Sequence, residues 1–386
     1  MQSSPIKLNI SFVDGASVEI SNPPTPFDIE FIDKTTNKIV HKGIIDKNFP
    51  KITSGKYYFI NYIIRIKLNK KVVFEHHFNL KGRKVFIILS SKAIGDTLAY
   101  FPYIEEFRKK HNCKIIVKTH HNNWFKNKYP YIKFVEDINI NYTDIYAQYI
   151  LGLFRGEQKL KRHPQTPWKL PLQKLSSDIL GLEYKEIKPK INVKDINSGI
   201  EGDYIIISPH ATKHVAYWHY EGGWQIIINY LISKGYKVVM LSKEPLGDIF
   251  EDKKISSTLK NVINKTGTSI EEAFSIIKKS KGLIGVSSGP AWVSWCLDIP
   301  TILISGMSKP YTEMQDCSRI FTPINKGLCN GCWNSGDCGN GADNWVNDFD
   351  FCPYYPKSSP HHFECSKTIE PSTVIKTIDK KFGEAK

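Results

Sequence analysis

Two series of short apolar runs, separated by polar loops and stretches of helical periodicity, constrain the fold more than any other feature of this chain. The first series runs from residues 85–89 to residues 114–118, with helical periodicity at residues 97–110 between them. The second series contains runs at residues 204–208, 237–241, 282–286 and 301–304. Apolar runs of strand length that alternate with helices are typical of buried parallel strands. The sequence therefore predicts an α/β protein with two doubly wound, Rossmann-like units and ligands at the carboxyl ends of their strands.

Different patterns precede and follow the first α/β series. Residues 1–83 contain alternating or β-branched runs broken by turn residues, which predicts an all-β module of the small-barrel type. We expect residues 84–200 to form the first Rossmann-like domain and residues 201–386 to form the second. A cysteine-rich segment, at residues 326–367, is predicted to form a metal finger within the second domain.

Four cysteines near the end of the chain have the spacing of a metal site. Cys329 and Cys332 are two residues apart in the manner of a metal knuckle, and Cys352 and Cys365 follow. Four thiolates bind zinc or iron and leave no open coordination position, which predicts a structural role. Buried thiols or disulfides are the alternative, and Cys338 competes with Cys352 as the third ligand. We favour Cys352 because Cys338 lies in a stretch rich in Gly, Asn and Asp, which is typical of a surface loop.

Charge and hydropathy restrict the partners of this chain. The 386 residues have a formal net charge of +15, but the lysines are spread along the chain without a basic stripe, so nucleic acid is not an expected partner. The charge suits an anionic small substrate such as a nucleotide diphosphate; compositional bias alone and a polyanion are the alternatives. The apolar runs are too short to span a membrane, and the first residues lack a secretory pattern. We therefore expect a cytoplasmic protein, in which thiolates bind metal more readily than they form disulfides.

The loop after residues 85–89 contains an acid where a helix is predicted to begin. Its last small residue is Gly95, and Asp96 follows directly. A carboxylate at the carboxyl end of a strand would face the ligand cleft. The alternative is that Asp96 only caps the helix by accepting backbone N–H bonds.

Two further loops contain groups suited to an anionic ligand. The loop after residues 204–208 contains His210, Thr212 and Lys213, whose cation and hydroxyl suit phosphate oxygens, although a solvated loop is the alternative. The run at residues 282–286 is followed by small residues and a proline: Ser287, Ser288, Gly289 and Pro290. A helix that starts at such a turn directs backbone N–H groups and the positive end of its dipole at an anion. This loop is therefore a candidate diphosphate cradle.

The three loops together resemble the heptosyltransferases of glycosyltransferase family 9 over most of residues 85–304. The resemblance is carried by Gly95 and Asp96, by Pro209, His210 and Ala211 with Trp218, Gly223 and Trp224, and by residues 285–290. A β module in front and a four-cysteine finger behind are similar to the bacterial autotransporter heptosyltransferases, as are residues 162–166 and 177–182.

This resemblance implies a GT-B fold enzyme that transfers heptose from ADP-heptose to serine hydroxyls of an autotransporter adhesin. It implies that Asp96 is the base of an inverting reaction, that Lys213 contacts the donor phosphate and that Ser288, Gly289 and Pro290 hold the diphosphate. The other expected donor-site residues are Gly95, His210, Thr212 and Ser287. The resemblance further implies an iron-binding finger and a large homo-oligomer. Catalysis needs no divalent metal if lysine and helix N–H groups stabilise the phosphate charge.

Two departures from the family pattern bear on these expectations. The insertion that contains Cys338 lengthens the interval between Cys332 and Cys352 and leaves the third ligand open. Members that act on core lipopolysaccharide usually carry Asp-Thr-Gly where this chain has Ser287, Ser288 and Gly289. A transferase acting on lipopolysaccharide core or another glycan is nevertheless the main alternative, and a zinc-ribbon binding protein without activity is the third hypothesis.

We predict that the purified protein contains about one metal ion per chain, bound by four thiolates. Cys352→Ser should lose the metal because a ligand is missing, whereas Cys338→Ser should retain it. Elemental analysis measures the metal, and iron would give a visible thiolate charge-transfer band that zinc lacks. The opposite pattern in the two variants would identify Cys338 as the third ligand.

Overall fold

The computed structural model describes residues 6–136, 144–243, 259–320, 330–335, 352 and 354–383. The chain divides into two compact units. The first comprises Met1–Lys92, Tyr100–Pro167 and Gln173–Ile187, and the second comprises Ala93–Ala99, Trp168–Leu172 and Lys188–Lys386.

The first unit begins with antiparallel strands. Their bounds are β1 Lys7–Ser11, β2 Ser17–Ser21, β3 Phe27–Asp33, β4 Lys38–Ile45, β5 Lys51–Thr53, β6 Tyr62–Leu68 and β7 Lys71–His77. They form two sheets, with strand orders β1-β2-β5 and β4-β3-β6-β7. The antiparallel strands agree with the predicted β module, while its closure into a barrel stays a prediction.

Alternating burial explains why these segments form strands. In β6 the inward side chains are buried: Tyr62, Ile64 and Ile66. The intervening Arg65 and Lys67 both reach Glu30 on β3, with N···O distances of 3.7 and 2.5 Å. Because strand side chains point to alternate faces, this period of two gives β6 one buried apolar face and an opposite face that carries charged side chains.

A parallel sheet completes the first unit. Its strands are β8 Lys84–Leu89, β9 Lys114–Lys118, β10 Ile132–Phe134 and β11 Ala147–Leu151, in the order β10-β9-β8-β11. The helices along this part of the chain are α1 Ile94–Tyr100, α2 Pro102–His111, α3 Asn122–Phe125, α4 Gln158–Arg162 and α5 Leu172–Ile179. The helix expected at residues 97–110 is divided in two, because Pro102 has no N–H to continue the ladder of α1. Pro102 occupies the first turn of α2 instead, where that N–H is not needed.

The second unit contains a larger parallel sheet. Its strands are β12 Tyr204–Ser208, β13 Lys237–Met240, β14 Ile263–Asn264, β15 Gly282–Val286, β16 Thr301–Ile304 and β17 Ser318–Ile320. In the described residues the strand order is β14-β13-β12-β15-β16-β17. Every residue of β12, β15 and β16 is buried, as expected for strands covered on both faces. The helices are α6 Gly223–Ser233, α7 Ile270–Lys279, α8 Gly289–Cys296, α9 Cys332–Ser335, α10 Glu364–Lys367 and α11 Pro371–Phe382.

Helix α11 packs on the second sheet and fixes the chain that follows β12. Its buried Val374 and Ile378 belong to the same apolar core as Ile207 of β12 and Ile284 of β15. Just before α11, the carbonyl of Ile369 accepts a 2.9 Å hydrogen bond from the indole N–H of Trp218, a residue with no exposed surface. Across the described ranges, no helix has both the length and the apolar character needed to cross a membrane.

Candidate functional site

The candidate site lies at the carboxyl edge of the second sheet. Strands β12 and β15 are parallel neighbours in which Ser208 is opposite Gly285, and β16 pairs with β15 on its other side. Parallel strands end at the same edge of a sheet, where ligands of open α/β sheets bind. The loops that begin at Pro209, Ser287 and Ser305 therefore leave the sheet side by side. The structure brings together the second and third loops identified in the sequence.

The turn after β15 has the form of an anion cradle. Ser288 is the N-cap residue of α8 in an extended conformation, and Pro290 lies in the first helical turn. The hydroxyl of Ser288 makes no bond to the helix, and its oxygen is buried without a partner among the described residues. A helix start of this kind offers N–H groups and a favourable dipole to an anion. The hydroxyl of Ser287, by contrast, donates to Glu313 in the loop after β16.

The start of α1 packs against the start of α8, and two glycines permit this contact. A Cβ atom on Gly95 would lie 2.7 Å from Cδ1 of Trp292, a distance that real Cβ atoms essentially never show. A Cβ atom on Gly289 would lie 3.1 Å from the Cβ of Ile94. Both contacts lie within the second unit, so the loop that carries the candidate acid meets the candidate cradle.

Asp96 lies in the first turn of α1. It is the third residue of the helix and is half-buried, so it is not the N-cap residue that the capping alternative requires. A carboxylate in the first turn interacts favourably with the helix dipole.

The loop after β12 contains one buried and two exposed candidates. His210 is buried, and its Nδ1 is 2.9 Å from the hydroxyl of Ser242, which follows β13. Thr212 and Lys213 are exposed. The side chain of His210 is thus part of the packing between two loops, whereas Lys213 has the exposure that a cation needs to meet a soluble anion.

The predicted metal finger is described in part. Cys329 and Cys338 lie outside the described residues. Cys332 and Cys352 belong to one apolar cluster with Val215, Phe363 and Met307. Within the described part of the chain, which includes Cys332, Cys352 and Cys365, no three Cys, His, Asp or Glu side chains form a metal-binding group, so the four-cysteine ligand set stays a prediction.

Described contacts link the segments around Cys332 and Cys365. Gly331, directly before Cys332, has a φ of +64°, a left-handed conformation that glycine adopts without strain. The Sγ of Cys365 lies 3.0 Å from the position that a Cβ atom on Gly306 would occupy. Gly306 also accepts a 2.9 Å backbone bond from Gly331. These contacts place the segments that contain Cys332 and Cys365 next to the same residue, Gly306. Thiolates are suitable ligands for iron and zinc.

The finger contacts two of the site loops. The Oδ1 of buried Asn334 accepts bonds from the backbone N–H of Lys309, at 2.7 Å, and from the hydroxyl of Thr312, at 2.8 Å. On the other side, the ring of His219 stacks on Phe363 at 4.0 Å, and burial lowers the pKa of His219 to about 4. A neutral ring at physiological pH can pack in this apolar contact without a charge to solvate. The finger therefore braces the loop after β12 and the loop after β16.

Sequence reasoning missed Ser242, Glu313, Arg319 and Asn334. Each is a single polar residue in or near a loop, without a motif or a periodic neighbour that would mark it. Their importance follows from contacts between segments that are distant in sequence, and only the order of the parallel strands brings those segments together.

Comparison with known proteins gives matches along nearly the whole chain. The sequence profile of glycosyltransferase family 9 (heptosyltransferase) matches residues 158–320. The chain is 28% identical over 331 residues to the inactive autotransporter heptosyltransferase BimC of Burkholderia thailandensis, covering 85% of this chain and 75% of BimC. It is 27% identical over 384 residues to the autotransporter heptosyltransferase TibC of Escherichia coli O78:H11, covering 98% of this chain and 91% of TibC.

Two solved structures of TibC are also similar to this chain. The crystal structure of the iron-containing dodecameric glycosyltransferase TibC from enterotoxigenic E. coli H10407 has a TM-score of 0.85 at 26% identity, covering 98% of this chain and 97% of that chain. TibC in complex with ADP-D-beta-D-heptose has a TM-score of 0.85 at 25% identity, covering 98% and 96%.

We predict that Gly95→Ala lowers the free energy of unfolding by about 1–3 kcal/mol, because its methyl group overpacks the Trp292 ring. Trp292→Leu in the same chain makes room for that methyl group, so the double variant should lose less than the sum of the two single losses. Denaturant unfolding of the four proteins measures this coupling. Strictly additive losses would show that contact with the Trp292 ring is not the reason why a side chain at position 95 is unfavourable.

Proposed function

We propose that this chain is an autotransporter heptosyltransferase of glycosyltransferase family 9 and that it transfers heptose from ADP-heptose to serine hydroxyls of an autotransporter adhesin. Its predicted α/β glycosyltransferase fold is confirmed by the similarity to TibC. The observation that carries the proposal is the near full-length similarity to a protein crystallised with ADP-D-beta-D-heptose. Mass spectrometry of an adhesin co-expressed with this chain tests it, and transfer to a lipopolysaccharide acceptor instead would support the alternative.

The proposed donor site combines the turn after β15 with the loop after β12. Backbone N–H groups at the start of α8 and the unbonded hydroxyl of Ser288 supply hydrogen-bond donors for the diphosphate. Lys213 supplies an exposed positive charge, and a lysine cation forms strong charge-assisted bonds to phosphate oxygens. We include Gly95, His210, Thr212, Ser287, Gly289 and Pro290 in this site as residues that shape or line it. These groups stabilise the departing ADP without a divalent metal.

The proposed reaction is an inverting displacement with Asp96 as the general base. A serine hydroxyl is a weak nucleophile at neutral pH, and a positioned carboxylate can take its proton as the oxygen attacks the anomeric carbon. The bond from that carbon to the diphosphate oxygen breaks on the opposite face of the sugar, and ADP leaves with the electron pair. The contact between Gly95 and Trp292 supports this role, because it ties the acid-bearing helix to the helix that begins at the cradle.

We propose that Cys329, Cys332, Cys352 and Cys365 hold an iron ion, with zinc as the alternative. TibC is described as iron-containing, and thiolates are suitable ligands for either metal. When bound, the ion would cross-link four points of a loop-rich segment. The residues of the finger would then act through packing: Asn334 and Phe363 hold the loops of the donor site. Loss of the metal should therefore impair folding or assembly first and activity as a consequence.

The proposed assembly is a large homo-oligomer in the cytoplasm. TibC is described as dodecameric. In this chain, the strands β4 and β7 at the edges of one sheet of the β module expose apolar side chains: Ile39, Ile44, Val72, Val73 and Phe74. Apolar side chains on exposed edge strands favour association with another chain. The reducing cytoplasm suits a finger made of thiolates.

Lys213→Ala should weaken use of the ADP-sugar by about 1–3 kcal/mol, the scale of a lost charge-assisted hydrogen bond. Donor kinetics and competition by ADP measure the effect. Lys376→Ala, which removes an exposed lysine from α11, is the matched control and should not change donor use. Unchanged kinetics in Lys213→Ala would remove this lysine from the site.

Asp96→Asn should fold, bind ADP normally and lose transfer by roughly 10²–10⁴-fold, the usual contribution of a general base. The amide has the shape of the carboxylate but cannot accept the proton. Glu271→Gln removes an acid from the first turn of α7 and controls for the loss of a favourable dipole interaction. A folded Asp96→Asn protein with full activity would contradict the assignment and direct the search for the base to His210 or Asp144.

A further inference from the structure

A buried carboxylate lies directly behind the cradle. Glu313, in the loop after β16, accepts hydrogen bonds from the hydroxyl of Ser287 on Oε1 and from the hydroxyl of Ser308 on Oε2, the latter at 2.8 Å. Its charge is balanced by Arg319 of β17, whose NH2 group donates to the same Oε2. The side chains of Glu313 and Arg319 are only 6% and 8% exposed. Ser287 is the residue immediately before the N-cap of α8.

Stability alone is a weak explanation for this ion pair. Removing two charges from water costs several kcal/mol per ion, roughly the amount that their attraction returns, so apolar replacements are often as stable. Buried ionic groups can instead fix one conformation of the groups they bind. Here the group that gains a defined position is the hydroxyl of Ser287, and with it the backbone of the turn that leads into Ser288 and Gly289.

Glu313 is itself held by contacts that do not involve the cradle. The hydroxyls of Ser305 and Ser308 are 2.8 Å apart, and the other terminal nitrogen of Arg319 donates to the carbonyl of Lys309 at 3.2 Å. Asn334 accepts bonds from Lys309 and Thr312 in the same loop. Three sets of contacts therefore hold this loop, and none of them depends on the bond between Glu313 and Ser287. A rigid support of this kind is what a binding site needs to keep its donors in place.

We propose that Glu313 is a positioning residue for the donor diphosphate: through Ser287 it holds the turn so that the hydroxyl of Ser288 and the N–H groups of α8 face the ligand. This inference rests on the proposed function, because it assumes that ADP binds at the turn. In this account Ser287 acts by its bond to Glu313, and the neighbouring groups contact the phosphate oxygens.

A double-mutant cycle on the full-length protein tests the proposal. The dissociation constant for ADP is measured by calorimetry for the wild type, Glu313→Asp, Ser287→Ala and the double variant, with thermal unfolding as the check on folding. Glu313→Asp keeps the charge that Arg319 needs but shortens the reach to Ser287. Ser294→Ala removes a buried hydroxyl of α8 that bonds to Thr301, and it is the matched control. If Glu313→Asp does not fold, Glu313→Gln, which keeps the side-chain length, takes its place in the cycle.

Each single variant should weaken ADP binding by about tenfold, at the lower end of what a lost hydrogen bond to a charged group costs. The double variant should bind no more weakly than the single variants, because both changes break the same bond. Ser294→Ala should bind ADP as the wild type does. Unchanged affinity in the Glu313 variant, or fully additive losses of about a hundredfold, would overturn the proposal while leaving the proposed function intact. A wild-type protein that binds no ADP would overturn both.

Discussion

The close packing of two helix starts is the constraint on which the candidate site depends. Gly95 and Gly289 lack the side-chain atoms that would separate α1 from α8, so Trp292 and Ile94 fill the space instead. An acid at the third position of α1 and an anion cradle at the start of α8 are thereby fixed in one compact unit. Sugar transfer needs a base near the acceptor and stabilisation of the leaving diphosphate, and this packing gives the proposed base and the proposed cradle a common rigid support.

Residues of the cysteine-rich segment contact two loops of the candidate site. Asn334 follows the cysteine knuckle and holds the loop that carries Glu313, while Phe363 packs on His219 in the chain that follows Lys213. Both loops of the proposed donor site are thus braced by residues that flank a glycine-rich sequence, a composition that favours a cross-link. The closed metal site that we propose would serve this purpose, because such a site stabilises local structure without taking part in the chemistry.

Much of the fold could be predicted from the sequence. The buried strands at residues 204–208, 282–286 and 301–304 are nearly continuous apolar runs, and parallel order places the loops that follow them at one edge. The support of the site could not be predicted. The bond from Ser287 to Glu313 depends on β15 and β16 being neighbours and on the path of the intervening chain. A lone glutamate in a loop carries no periodic signal, and the break between α1 and α2 depends on Pro102 overriding helical periodicity.

The central claim is that this chain binds an ADP-activated sugar. The most direct measurement is the thermal stability of the wild-type protein with ADP-heptose and, in parallel, with UDP- and GDP-sugars at the same concentration. A ligand that binds only the folded state stabilises it by about 2.7 kcal/mol at a hundred times its dissociation constant. We predict that the unfolding temperature rises with ADP-heptose and stays unchanged with the other two. A rise with a UDP- or GDP-sugar but not with ADP-heptose would contradict the account.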